Sequence, residues 1–461
     1  MRALQAAPDA ALPRELGGGA SVVVRHEIVV PKDAPPTQPH WRRVRGKDRF
    51  EVLDPALAVQ PWPLPEVAAL VRYRSGEAAS TVTAPARWRY ERAGGGEKQK
   101  LVAVGSEFSV RLLPEVTVAA LGSRAPREFR VAVRNERKGP AVGRVRLEAP
   151  AGWVVEPREA ALRFRHEGEE MAARFTATPA AGLSPGEATV RAVFEDEEGR
   201  AFDAGDQVVA YEHVLERRLV RKAAASVVAL DVAVAPGISV GYVDGTGDEV
   251  DTAIRQLGIP LTYLTADDLA FGDLARFTTI VTGVRAYEAR ADLRSYHGRL
   301  MAYAEGGGNL VVQYNRLDFN QASPSVRPAT GAERPHSPYA PYPASVTSER
   351  VSDENAPPRI VSPESALLTR PNLVGDRDWQ GWVQERGLNF LATRDPRYEN
   401  VVAFNDPFPL NPGEKMGALV DARVGLGRWT YVGLGLFRQV PAGVPGAYRL
   451  LANLVGRPRA R

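Results

Sequence analysis

The feature that most constrains this chain is a change of period partway along it. Up to about His213 the apolar residues alternate in short runs broken by Gly and Pro. Beyond it, short apolar runs alternate with stretches whose apolar residues recur at helical spacing. The first pattern is that of half-buried strands and the second that of strand–helix crossovers. A chain of 461 residues is also too long for one core, so the two patterns belong to separate units. The expected fold class is therefore multidomain: all-β, immunoglobulin-like sandwiches followed by an α/β, flavodoxin-like domain with a mostly parallel sheet.

In chain order, residues 21–30 (SVVVRHEIVV) are expected to form a strand, followed by a proline-rich connector, 31–41, that cannot be helical. Further strands are expected over 49–53, 66–73, 86–92, 100–104 and 107–113, with a hairpin turn at the glycines 94–96. Residues 1–113 thus form a β-rich, partial sandwich. Residues 114–214 hold about eight strand-like runs, an immunoglobulin-like sandwich by spacing. In it Val131, Val133, Val145 and Leu147 fall on one buried face, and Trp153 is expected to plug the core rather than to stack on a sugar. The basic, alanine-rich segment 215–236 reads as a linker.

The unit 237–461 is expected to run strand 238–243, helix 247–257, strand 261–264, a short helix capped by Thr265, strand 278–283, helix 291–304 and strand 309–314. An irregular insertion spans about 317–400. Two more strands, 401–405 and 417–424, and a final helix, 445–454, complete the unit. A glycine stop before the run Leu310-Val311-Val312 marks a central parallel strand. Ligands of open α/β sheets gather where such strands end, which makes Tyr314, Asn315 and Arg316 candidate site residues. The alternative is that they only tie down a crossover loop. The densest polar-aromatic stretch is DRDWQGWVQERGLN, where Trp379, Trp382, Gln384, Glu385 and Arg386 either line a sugar pocket or plug a flap onto its own domain.

Composition removes several chemistries. The chain has no cysteine, hence no disulfide, thiolate metal site or cysteine nucleophile. Its six histidines are scattered, with none of the spacings that build a zinc site, and His297 sits inside an expected helix. The loop EDEEG, 195–199, is expected to be a solvated hairpin rather than a calcium site. The turn DGTGD after the first α/β strand is expected to cap a helix rather than to cradle phosphate. The pattern GxSxG occurs at 182–186 and 237–241, but in neither does the serine follow a buried strand in an elbow-like turn. A net charge of +4, dispersed over 59 basic and 55 acidic residues, argues against nucleic-acid binding. No apolar run is long enough to span a membrane, and the N-terminal residues make a poor signal peptide.

Several separate strings resemble the C-terminal region of large bacterial PIG-L (LmbE-like) deacetylases: VGYVDGTGDEV, IVTGVRAYEARADL, GGGNLVVQYNR, APYP, RVSDENAP, GWVQERGLNF and FRQVPAGVPGAYRLLANL. APPTQPHW and the sandwich turn GWVVEP fit the same region. The resemblance implies an N-terminal zinc domain that deacetylates N-acetylglucosamine-type sugars, then sandwich domains similar to those attached to α-galactosidases. A class I glutamine-amidotransferase-like, ThuA-like α/β domain would end the chain. The zinc domain's HPDD-like and HxxH motifs are absent here. The chain then looks like the downstream part of such a protein, with zinc expected only in the deacetylase domain and no cofactor of its own. The amidotransferase nucleophile, a Cys after the strand 309–314, has no counterpart. The resemblance further implies a glycan or cell-wall sugar and a deacetylase domain as partners, and an extracytoplasmic setting. Three functions follow as expectations: a non-catalytic, carbohydrate-associated accessory region, a ThuA-like sugar-processing enzyme, or a docking scaffold.

Overall fold

A computed structural model describes residues 15–460, apart from 26, 32–33, 45–48, 61–63, 93–95, 212, 322–335 and 394. His26, most of the turn expected at 94–96, and much of the proline-rich part of the insertion lie outside the described residues.

The described residues of the first hundred are β-rich but build no sandwich among themselves. They form separate antiparallel ribbons: Trp41–Arg43 with Phe50–Val52, Ala68–Ser75 with Ala78–Pro85, and Arg87–Arg92 with Gly96–Leu101. Every residue of Ala68–Ser75 is exposed. Alternating sequence gives each ribbon its register, but two strands alone cannot bury a face. The described residues of 21–30 form no strand, since no neighbouring edge pairs with them.

The sandwich is present, with edges displaced from the expected ones. One sheet runs Ala160–Phe164, Ala141–Glu148, Gly186–Asp196, Ala224–Leu230, Val116–Ala120, and the facing sheet runs Val154–Glu156, Glu170–Thr178, Arg127–Asn135, Phe108–Leu113. Val131, Val133, Val145 and Leu147 all point into the core, with Phe108, Phe129, Phe175 and Phe194. Trp153 packs against this core from its edge, as a plug. Two boundaries move. Phe108–Leu113 pairs with Arg127–Asn135 and so belongs to the sandwich rather than to the preceding unit. The segment 215–236 is no linker: Val214–Lys222 pairs with Ala204–Tyr211, and Ala224–Leu230 lies inside the sandwich sheet. The latter strand is covered on both faces. Ala225 and Val227 face the sandwich core, while Val228 and Leu230 face the core of the next unit. An uninterrupted run of small apolar residues, AASVVAL, is what such a strand requires.

That next unit holds a seven-stranded sheet in the order Leu261–Tyr263, Val240–Val243, Thr279–Thr282, Asn309–Gln313, Gly427–Val432, Leu419–Val424, Tyr398–Asn400. The first five strands are mutually parallel, Leu419–Val424 runs antiparallel to them, and Tyr398–Asn400 runs antiparallel to Leu419–Val424. Helix Val250–Gln256 buries Val250, Ala253 and Ile254, with Leu257 buried just beyond its end. Thr265 and Asp268 form a capping box on Ala266–Phe271. The helix expected over 291–304 is two, Ala291–Ser295 and His297–Glu305, broken at Tyr296. The C-terminal helix Pro445–Val455 is buried almost throughout. Its last carbonyls are met from the sheet: Thr279 Oγ1 donates to Val455 O (2.9 Å) and Asn309 Nδ2 to Leu454 O (2.8 Å).

The described part of the insertion is packed rather than flap-like. Val346, Val351, Leu367, Leu368, Trp379, Trp382 and Phe390 all sit in the two apolar clusters of this unit. The sandwich shares one of those clusters through Val118 and Leu230. Polar ties reinforce the junction: Arg127 Nη1 donates to Gln256 O (3.1 Å), Arg449 Nε to Asp231 O (2.8 Å), and Asn372 bonds both backbone groups of Ala233. Among the described residues no helix is long and apolar enough to cross a membrane.

Candidate functional site at the carboxyl ends of the parallel strands

Three parallel strands end side by side at Val243, Thr282 and Gln313. Their ends carry a polar chain. Gln313 Nε2 donates to Tyr242 Oη (3.1 Å), and Tyr242 Oη–H donates to Asp248 Oδ1 (2.6 Å). Asp248 also accepts from Val250 N (3.0 Å) and Val284 N (2.8 Å). The DGTGD turn is therefore closed by its own carboxylate, which also accepts from the first N–H of the following helix. A Cβ on Gly245 would sit 2.0 Å from Val284 O, so the glycine serves close backbone approach rather than an anion. Burial, then the neighbouring Asp248 charge, push the Tyr242 phenol well above its usual range.

Arg285 follows the strand Thr279–Thr282 in left-handed backbone conformation, φ 56°. Its N–H donates to Tyr314 O (2.8 Å), and its guanidinium pairs with Glu288, which also lies 3.7 Å from Arg316. Tyr314 itself is buried and stacked on Phe437, ring centroids 5.7 Å apart. Burial raises its pKa, while Arg285 and Arg316 oppose the rise. Asn315 is 1 % exposed; its Nδ2 donates to Gln313 O (2.8 Å), and its Oδ1 has no partner among the described residues. Arg316 is half-exposed. The hydrogen bonds of these three residues mostly close the crossover loop.

The structure splits the second candidate stretch in two. Gln384 and Glu385 join the strand-end cluster. Glu385, 4 % exposed, accepts from Arg350 Nη2 (3.1 Å) and Arg438 Nε (2.8 Å), and Arg438 also bonds the exposed Gln384, which adopts φ 66°. The Glu385 charge is felt at Tyr314. Trp379, Trp382 and Arg386 go the other way. The indoles, each 3 % exposed, stack on one another at 5.3 Å inside the apolar cluster. Trp382 Nε1 donates to Asp378 O (3.0 Å). Arg386 lies over the Trp382 ring at 5.1 Å and donates to Ala356 O (2.9 Å). Burial lowers its pKa to about 10. These three residues line no sugar pocket, because their ring faces are spent on each other and on the core.

Sequence reasoning missed Arg285, Glu288, Phe437 and Arg438. The three-residue spacing of Arg285 and Glu288 on a helix start was a usable signal. Nothing in the sequence places Phe437 and Arg438 over Tyr314, since that contact depends on where two distant loops land.

Other candidates resolve as structural groups. His297 is buried with Nδ1 2.9 Å from Tyr287 Oη, and burial lowers its pKa to about 4. In the loop 195–199, Asp196 is bonded by Arg200 at 2.9 and 2.7 Å rather than held open for a cation. Among the described residues no three His, Asp or Glu cluster as metal ligands.

No family model matches the chain, and no curated protein matches it. Solved structures similar to parts of it include WR4, a C. elegans MSP family member, at 8 % identity over 26 % of this chain and 97 % of that one, TM-score 0.16. A FixG-related protein from Vibrio parahaemolyticus matches at 9 % identity over 26 % of this chain and 99 % of its own, TM-score 0.18. A β-galactosidase from Rahnella sp. R3 matches at 15 % identity over 46 % of this chain and 30 % of its own, TM-score 0.28. Scores this low leave the fold to be described by its own topology.

Proposed function

We propose that the chain is a non-catalytic accessory region of a PIG-L (LmbE-like) zinc-dependent N-acetylglucosamine deacetylase, which docks the deacetylase domain and presents it to a glycan. In this reading the C-terminal unit is a flavodoxin-like, glutamine-amidotransferase-like domain that keeps the fold without the nucleophile, and zinc belongs to the deacetylase domain. The observation that carries the reading is the residue after the strand Asn309–Gln313. Where amidotransferases place their thiol, this chain places Tyr314, buried beneath Phe437 with its carbonyl bonded to Arg285 N. The apolar core shared by sandwich and α/β unit supports a docking role, since it makes one stiff body of both. Sedimentation velocity of the chain mixed with a PIG-L deacetylase domain from the same genome tests it. A co-sedimenting complex is expected; two independent boundaries at concentrations of tens of micromolar would overturn the docking role.

A second reading, a ThuA-like sugar-processing enzyme, is favoured by one feature: Glu385 is a nearly buried carboxylate beside Tyr314, ringed by arginines. Against it, both Glu385 oxygens already accept from guanidinium groups. Turnover lost in Glu385→Gln would favour the enzyme.

A further inference from the structure

A cleft of about 290 Å³ lies far from the strand ends, between the ribbon Arg87–Arg92/Gly96–Leu101 and the strand Val214–Lys222. We propose that this cleft is a binding site for a neutral glycan, with Trp88 as the stacking platform. Trp88 is 61 % exposed, the opposite of the Trp379–Trp382 pair. An indole left this open on a two-stranded ribbon has no core to serve. It is instead held in place by Tyr90 two residues on, the rings stacked at 4.9 Å and 22°. Lys100 in turn sits 5.4 Å over the Tyr90 ring and pairs with Glu216 across the cleft at 2.5 Å. The platform is thereby tied to its neighbours while, among the described residues, its outer face stays open.

The remaining lining suits sugar hydroxyls. Lys100 and Glu216, though paired with each other, keep further donor and acceptor positions, and Leu64 and Pro65 supply an apolar wall. The volume falls at the low edge of the roughly 300–1,000 Å³ usual for small-molecule sites, room for one or two pyranose rings. The charges nearly cancel, because Lys100 pairs with Glu216 at 2.5 Å and Arg218 with Asp206 at 3.1 Å, while Glu66 offsets a further cation of the lining. A nucleic acid needs an uncompensated basic stripe, and an apolar peptide needs fewer ionised groups. A pyranose matches what remains: a C–H face for the indole and hydroxyls that both donate and accept.

This inference deepens the glycan-linked part of the reading above and borrows from it only the choice of an acetylated probe. The test is isothermal titration of the full chain with two neutral trisaccharides, cellotriose and the N-acetylglucosamine β-1,4 trisaccharide, and with a short single-stranded oligonucleotide. Saturable heat is expected with at least one trisaccharide. Trp88→Ala should weaken it about tenfold, a change worth ~1.4 kcal/mol, and Trp88→Phe should retain most of it. Glu216→Gln should weaken it, with the folded state retained by circular dichroism. Absence of heat with both sugars at millimolar concentration would overturn the site. So would binding that Trp88→Ala leaves unchanged, or heat with the oligonucleotide alone. Such failure would leave complex formation with a deacetylase domain, measured by sedimentation, as a separate result.

Discussion

Trp382 and Trp88 are the same side chain in opposite surroundings, and their fates under mutation separate packing from recognition. Trp382→Ala removes an indole that is 3 % exposed, stacked on Trp379 and bonded to Asp378 O. It should cost about 3–5 kcal/mol in urea denaturation. Trp88→Ala should stay within about 0.5 kcal/mol of the parent, as exposed substitutions do. His297 makes a second residue-scale prediction. Burial holds its folded pKa at about 4, below the unfolded value of about 6.5. The stability it contributes is therefore complete above pH ~6.5 and is lost as pH falls toward the folded value, because the unfolded chain takes up the proton first. Unfolding free energy should drop by roughly 3 kcal/mol over that interval, and His297→Gln should flatten the upper part of the slope, between about pH 6.5 and pH 5. At this scale the sequence was partly legible. The helix start after the DGTGD turn could be inferred, and His297 only as a surface or satisfied histidine in a helix. The direction in which each tryptophan points could not, because Trp-x-x-Trp in an insertion carries no period that identifies a buried face.

At the scale of elements, the C-terminal helix shows how closely the insertion is fitted. Gly446 lies in its first turn, and a Cβ there would meet Asp378 O at 1.8 Å, the same carbonyl that accepts from Trp382. Gly→Ala inside a helix ordinarily gains about 1 kcal/mol. Here the overlap should dominate, and Gly446→Ala should lose about 1–3 kcal/mol, read as a lower denaturation midpoint with a shifted tryptophan emission. Strands with one buried face were legible, since Val131, Val133, Val145 and Leu147 alternate as the pleat demands. The strand Ala224–Leu230 was not. Covered on both faces, it shows no alternation, and its alanines and the neighbouring arginines read as a bridge. The strand expected over 66–73 is present as Ala68–Ser75, but its partner Ala78–Pro85 was not expected, and two strands without a third or a covering layer bury nothing.

At the scale of the molecule, the sandwich and the α/β unit meet through Val228 and Val116 packed on Gly443, whose φ of 72° and lack of a Cβ let the two approach. Adding a side chain there puts atoms 2.9 Å from Val228 Cγ2 and strains the backbone. Calorimetry of the parent should show these two units melting in one transition, and Gly443→Val should divide it into two. This stiffness is what a docking body requires, and it leaves the strand ends as the place where the non-catalytic reading stands or falls. The most direct measurement is turnover by the purified full chain, followed as acetate release from the N-acetylglucosamine trisaccharide and ammonia release from glutamine. The account predicts no release of either above the buffer rate. Release of either product that disappears in Glu385→Gln or Tyr314→Phe would contradict it.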